Sequence, residues 1–512
     1  MTDGDSANNV EVAEVKYAFL ADGCDIWRDV AVNLDVRFGA TPSLWLGHPR
    51  HIDFASERFP QCAVLDEREL NIGVFERTGM APIPHSVRES SAFLRFESAA
   101  LYSLQRNEIH RDVGFLDRRT YISSLSDFLW GRLVASEATH VIAAQAPHTA
   151  AGLLLVGMFE ALGIEMLHFD QVSVGPFMVP RIGLRYGEVA VPNGTASEDA
   201  SSFEDEVRQW ITLFRSQVSG RRFAPSEERK SGFESDLSGP LGIARRLRFA
   251  RQEITVGHVA DGSEIAPSGA LANRGKIIGA AQSVRRRSKA IRALRSAYDR
   301  HASPLGDQRD FALFLLHYEP EKTTVPDGGL NGDQLAAVRT AASTLPAGMS
   351  LLVKEHPSQL MYVAHGHTGR TPGFYRELST IDNVTLVDRR ASNWDLIDRA
   401  KMVFTVTGTV GLEATFVATP VVYFGFPWYA GLEGTFALGD IRSAKANVTQ
   451  ALESPASAGD TTVENLVSLI ARSSIPGVIS PGSERYFRRR GWEPGSTVEP
   501  ATILAATHLG LI

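Results

Sequence analysis

The sequence predicts an α/β protein made of two facing Rossmann-like domains with a partly helical, basic insertion between them. Three observations lead there. The chain has 512 residues, and single hydrophobic cores stop growing at roughly 250–300 residues, so more than one domain is expected. Short apolar runs that end in polar or glycine punctuation alternate with helix-like stretches, the pattern of parallel strand–helix–strand crossovers. Between two such regions the composition turns first acidic and then basic. The spacing places a first domain at 1–190, the insertion at 191–309, the core of a second domain at 310–440, and a helical segment at 441–512 that closes the fold.

Composition narrows the classes further. A hydrophobic fraction of 44% with 22% charged residues is that of an ordinary globular protein, and a formal net charge of −7 argues against a nucleic-acid partner. Cys24 and Cys62 are the only cysteines, too few for a disulfide framework or a Cys-based zinc site, and they read as small buried apolar residues. Met1 to Glu14 is polar and acidic rather than signal-like. No stretch approaches about 18 consecutive apolar residues, so no membrane span is expected and the protein is placed in the cytoplasm.

The elements of the first domain follow in order. Tyr17-Ala18-Phe19-Leu20 is a short apolar run ending at Ala21-Asp22-Gly23, as after a buried strand. Ser43 to Gly47 is a second strand. Thr139 to Ala144 is another, leading through Gln145-Ala146-Pro147-His148 into an apolar helix from about Thr149 to Leu162 and a strand from Ile164 to Phe169. In the insertion, Glu204 to Val218 reads as helix. From Leu241 to Arg300 basic residues such as Arg245, Arg285, Lys289 and Arg292 outnumber acidic ones. The ordinary reading is a pair of solvated helices. The sharper one is a foothold on anionic lipid, where each basic residue contributes about 1 kcal/mol.

The second domain has the clearer pattern. Strands are predicted at Phe311–Leu316, Ser350–Lys354, Thr385–Val387, Met402–Val406 and Pro420–Phe424, with Asp333 capping a helix through about Ser343. Ligands of open α/β sheets bind at the carboxyl ends of strands, and three of these ends are polar. The first is His317-Tyr318-Glu319-Pro320-Glu321. The second is Lys354-Glu355-His356-Pro357, where the proline biases His356 to an extended backbone and aims its imidazole, with Lys354 adding charge. The third is Thr407-Gly408-Thr409-Val410-Gly411-Leu412-Glu413-Ala414, a strand-to-helix turn whose N–H groups suit an anion, with Thr407 or Thr409 as N-cap and Glu413 placed to accept from a diol. The third motif is neither a Walker loop nor a dinucleotide fingerprint, since the Lys-Ser/Thr ending and the third glycine are missing.

These three segments, with Pro420-Val421-Val422-Tyr423-Phe424-Gly425, resemble the bacterial capsule polysaccharide biosynthesis proteins. Those are GT-B glycosyltransferases related to the capsular Kdo transferases and, more remotely, to bacterial sialyltransferases. The resemblance covers residues 310 to 430, with a fainter trace at 139 to 170. It implies a GT-B-like fold and transfer of a sugar from a cytidine monophosphate-activated donor to a polysaccharide or lipid-linked acceptor. It further implies a phosphate held by His356, Thr407 and Thr409, and Glu413 at the ribose or base. Where related enzymes often carry Ser at the helix start, this chain has Thr407 and Thr409. Where a glutamine-containing version is commoner, it has His317 and Tyr318.

Glycosyl transfer needs a stabilised leaving phosphate and a base near the acceptor. No Asp-X-Asp cluster stands at a strand end of the second domain, so the sequence demands neither a metal nor another cofactor. The expected donor site comprises His317, Glu321, Lys354, Glu355, His356, Pro357, Thr407, Gly408, Thr409, Gly411 and Glu413. For the base, the first domain offers Asp22, Asp25 and His148, and Glu319 stands on the opposite wall. Alternatives are a glycerophosphotransferase of the teichoic acid kind using CDP-glycerol, a UDP-sugar 2-epimerase, and a non-catalytic scaffold of capsule assembly.

Overall fold

The computed structural model describes residues 15–512 apart from 22, 72, 105–113, 184–199, 220–241, 249–275, 307–309, 365, 441, 455–459 and 494–496. Two sheets organise these residues. The first contains β1 (Lys16–Ala21), β2 (Thr41–Gly47), β3 (Ala63–Asp66), β4 (His140–Ala143), β5 (Met166–Gln171) and β6 (Phe177–Ile182). The second contains β7 (Ala302–Ser303), β8 (Phe311–Leu315), β9 (Ser350–Lys354), β10 (Val384–Val387), β11 (Met402–Thr405), β12 (Val421–Tyr423) and β13 (Thr435–Ala437). A last strand, β14 (Ile475–Pro476), returns to the first sheet.

The strand orders are β14-β6-β5-β4-β1-β2-β3 and β13-β12-β11-β8-β9-β10-β7. Every pairing in the second sheet is parallel, and in the first only β5–β6 and β6–β14 are antiparallel. Strands of a parallel sheet are covered on both faces and therefore read as continuous apolar runs. The Phe-Ala-Leu-Phe-Leu of β8 is buried at all five positions. The two-domain α/β architecture expected from the sequence is the one observed.

Capping residues set where the helices begin. Asp333 accepts from the N–H groups of Leu335 and Ala336, and Thr149 accepts from Gly152 to open the apolar helix Ala150–Ala161. Cys24 and Cys62 form no disulfide; the Cys24 thiol donates to Glu484 Oε2 at 3.4 Å, and burial pushes the Cys62 thiol up to about 12.

Two segments lie elsewhere than the sequence suggested. The helix Lys276–His301, expected in a separate insertion, packs into the second domain. Leu294, Ala297 and Tyr298 are buried against it, and the Tyr298 hydroxyl donates to the carbonyl of Val387 at 2.5 Å. Arg285, Lys289 and Arg292 of that helix are exposed. The closing segment divides: Ala444–Glu453 packs on the second sheet, whereas β14 and the helix Val498–His508 complete the first domain, with Ala501, Leu504 and Ala505 buried in its core. Between the sheets, helices Ala200–Ser219 and Asp460–Ser473 pack together with Val172, Phe177, Leu412 and Tyr429 in one apolar cluster. Among the described residues no helix is long and apolar enough to cross a membrane.

Candidate functional site

The carboxyl ends of β8, β9 and β11 open on a cleft of about 700 Å³. From the second domain it is lined by His317, Tyr318 and Glu321, by Lys354 to Pro357, and by Thr407 to Val410 with Glu413. The first domain adds Asp170, Gln171 and Ser173 at the end of β5, and the returning chain adds Ile479 and Tyr486. The three polar strand ends therefore share one cavity, walled by both domains.

At the end of β9, His356 has the extended backbone that Pro357 favours, with φ −62° and ψ 129°. Its Nδ1 accepts from the N–H of Ser358 at 3.2 Å, so the neutral ring carries its proton on Nε2. The ring lies beside Tyr318, with centroids 6.1 Å apart. Lys354 is buried at its residue level, lines the cleft, and donates from Nζ to Asn393 Oδ1 at 2.5 Å. Glu355 points inward, taking hydrogen bonds from the His356 N–H at 2.8 Å and the Tyr375 hydroxyl at 2.9 Å. Burial raises its carboxyl above the ordinary range, against the pull of Arg370.

At the end of β11 the turn is organised by a residue expected to bind the donor. His317 is only 7% exposed. Its Nε2 accepts from the N–H groups of Val406 and Thr407, both at 3.2 Å, and Nδ1 lies 3.4 Å from Thr323 Oγ1. Both nitrogens are occupied by the protein, so His317 shapes the turn rather than offering a proton to a phosphate. Burial, with smaller contributions from His356 and Arg370, lowers its pKa to about 3 and keeps it neutral.

The turn itself differs from expectation in two details. The N-cap of helix Thr409–Thr415 is Gly408, not Thr407 or Thr409. The Thr407 hydroxyl instead donates to the carbonyl of Thr323 at 2.7 Å. The N–H groups of Thr407, Gly408 and Gly411 are bonded within the chain, which leaves those of Thr409 and Val410, at the helix start, to meet an anion. Gly411 is buried and does not line the cleft; a Cβ there would run into the Tyr429 hydroxyl.

None of the described base candidates lines this cleft. Asp25 is exposed and accepts from His51 Nε2 at 3.1 Å; that hydrogen bond, more than nearby Arg28, lowers its pKa. His148 sits on the loop after β4 with Nδ1 3.3 Å from the carbonyl of Ala146. Glu319 is buried in an ion pair with Arg370, so it cannot serve as a solvated base. Asp22 lies outside the described residues. The other acidic residues at the cleft are Asp170, Glu321, Asp327 and Glu413, of which Glu321 is exposed and accepts from Thr323 Oγ1 at 3.0 Å.

A polar contact joins the two walls. Lys322 Nζ lies 3.6 Å from Asp170 of the first domain and 3.8 Å from Asp327, and Asp170 also pairs with Arg181 at 2.5 Å. Burial would push both pKa values toward neutrality, but the pairing outweighs it: Lys322 is raised and Asp170 lowered. The sequence pattern gives no sign of this contact, although Asp170 and Gln171 directly follow the strand expected at Ile164 to Phe169 and extend it in the structure. Tyr486 and Ile479 come from the returning chain and carried no signal.

Residues 273–453 match the family described as capsule polysaccharide biosynthesis protein. That stretch carries all three polar strand ends of the cleft. The comparison with curated proteins found no match. Among solved structures, the chain is similar to the beta Kdo 2,7 transferase of Thermosulfurimonas dismutans KpsC, at 19% identity over 37% of this chain and 52% of that one, with a TM-score of 0.23. It thus spans about half of that structure's length. The beta Kdo 2,4 transferase of the same organism's KpsC is 12% identical over 73% and 88%, with a TM-score of 0.25. A UDP-GlcNAc 2-epimerase from Methanocaldococcus jannaschii is 10% identical over 94% and 100%, with a TM-score of 0.22.

Proposed function

We propose that the protein is a metal-independent GT-B glycosyltransferase of capsule or surface polysaccharide synthesis. It takes a sugar from a nucleotide donor, CMP-linked in the favoured form, and passes it to a polysaccharide or lipid-linked acceptor. The observation that carries this reading is the convergence of Lys354, His356 and Thr409 on one cleft with the opening turn of helix Thr409–Thr415.

Each has a role in this reading. The leaving phosphate receives the Nε2–H of His356, the charge of Lys354 and the N–H groups of Thr409 and Val410, so that negative charge is offset without a cation. Glu413, about one turn into the helix, accepts from the ribose. Glu321, exposed at the rim, takes the acceptor's proton. The protein works in the cytoplasm, at the inner face of the plasma membrane, with the basic face of helix Lys276–His301 toward anionic lipid.

The test is a donor panel with EDTA present, using CMP-Kdo, CMP-sialate, CDP-glycerol and UDP-GlcNAc. Release of CMP supports the proposal. Turnover of CDP-glycerol alone makes the protein a glycerophosphotransferase, and turnover of UDP-GlcNAc alone makes it an epimerase. No thermal stabilisation by millimolar CMP, CDP or UDP leaves only a scaffold.

A further inference from the structure

Behind the cleft wall lies a buried ionic cluster that the donor site does not account for. The Arg370 side chain is 2% exposed and sits between two carboxylates, Glu319 and Glu355, the latter at 3.0 Å. Its ring neighbour is Phe374, 4.3 Å from the guanidinium carbon to the ring centroid. A guanidinium taken out of water this fully persists only when its donors are matched, and here they are. Nη2 donates to the carbonyl of His317 at 3.2 Å, and Nη1 to that of Gly369 at 3.3 Å.

The partners of this cluster end on the cleft loops. Glu355, held by Arg370 and Tyr375, accepts the N–H of His356 at 2.8 Å. Arg370 therefore ties the loop after β8 to the loop after β9, the two segments that bring Tyr318 and His356 to the cavity. Glu319 adds a link outside the domain: it accepts from the hydroxyl of Tyr102 at 2.9 Å, and Tyr102 stands on helix Ser91–Ser103 of the first domain. Gln334 closes the cluster, donating to Glu319 at 2.5 Å and accepting from the His317 N–H at 2.7 Å.

We propose that Arg370 is a positioning residue that sets the imidazole of His356 through Glu355, and that Tyr102 couples the arrangement of the first domain to it through Glu319. This rests on the reading of His356 as a phosphate ligand. The chain Tyr102–Glu319–Arg370–Glu355–His356 runs from one domain to the cleft wall of the other without a break, and charged hydrogen bonds in a dry interior hold direction well.

Full-length Y102F, R370K and R370M are compared with the wild type by two readouts. One is the side-chain ¹⁵N resonances of His356 in histidine-labelled protein, assigned with H356A. The other is the split between kcat and donor KM. Y102F is expected to fold normally, shift the His356 resonances, and lower kcat while KM stays within about twofold; R370M loses on the order of a hundredfold in kcat, as for displaced catalytic geometry. R370K recovers part of that loss. If R370M does not fold, Y102F and R370K decide. Folded Y102F and R370K with unshifted His356 resonances and wild-type kcat overturn the proposal. A wild type that turns over no nucleotide donor defeats the transferase reading instead, and the resonances still judge the positioning role.

Discussion

A histidine whose Nδ1 is taken by a backbone N–H can offer only Nε2 to a ligand, and that constraint separates the two cleft histidines. His356 lines the cavity with Nδ1 held by the Ser358 N–H, so a ligand there would meet the Nε2 side of its ring. His317 has spent both nitrogens on the protein. Steady-state kinetics should therefore show H356A, still folded, losing about 10²–10³ in kcat, the usual consequence of deleting one donor to a developing anion. E413Q should instead raise the donor KM with kcat nearly kept, since a ribose contact is made equally in ground and transition states. The buried histidines also set a pH response. Burial lowers His317 to about 3, and His168 and His508 to about 4, below the ordinary value near 6.5. Between those limits the unfolded chain binds more protons than the folded one, so stability is full above about pH 6.5 and falls as pH drops toward 4. Glu355, raised by burial, works in the opposite sense above the ordinary carboxylate range. Denaturant melts at pH 7.0, 5.5 and 4.5 should show a falling midpoint; a midpoint that holds steady contradicts neutral burial of these rings.

At the scale of elements, most of the site was legible because its carriers are short apolar strands followed at once by polar residues. β8, β9 and β11 announce themselves by composition, and the residues that follow them are the residues in the cleft. What composition does not encode is direction. Glu319 and Glu321 stand two apart on one loop, yet Glu319 turns inward to Arg370 and Glu321 outward to the cavity. Arg370 and Tyr102 are remote in sequence and gave no local sign of meeting Glu319. β7 and β13 have two and three residues, too short for any periodicity to emerge. The glycines of the third motif divide in the same way. Gly408 takes the N-cap position, a place glycine tolerates well, whereas Gly411 is required by packing: a side chain there displaces Tyr429, whose hydroxyl donates to the carbonyl of Gly408 at 2.5 Å. G411A should cost about 1–3 kcal/mol by overpacking, measured by chemical denaturation, and should weaken nucleotide binding because the turn shifts with Tyr429.

Over the whole molecule, the chain crosses back. After helix Asp460–Ser473 it adds β14 to the first sheet and carries Tyr486 into the cleft wall, so both ends of the sequence build the first domain and neither domain is a simple half of the chain. The outer surface is shaped by the same economy. Helix Lys276–His301 buries one stripe, through Leu294, Ala297 and Tyr298, in the second domain's core, and this fixes which of its basic residues face outward. Arg285, Lys289 and Arg292, spaced four and three apart, fall on the exposed face, where helical neighbours stand together. With each basic residue near an anionic surface contributing about 1 kcal/mol, three of them supply about 3 kcal/mol, or roughly a hundredfold in affinity. The triple variant R285Q/K289Q/R292Q should consequently lose about that factor in binding to phosphatidylglycerol-containing vesicles in a flotation assay, and the wild type should lose the same binding as salt is raised from 0.05 to about 0.5 M, because the attraction is screened over a few ångströms. Donor hydrolysis in solution should be unchanged, since none of the three residues touches the cleft. Binding to neutral phosphatidylcholine vesicles as strong as to anionic ones, or a triple variant that floats like the wild type, would remove the membrane from this protein's description while leaving its cleft chemistry in place.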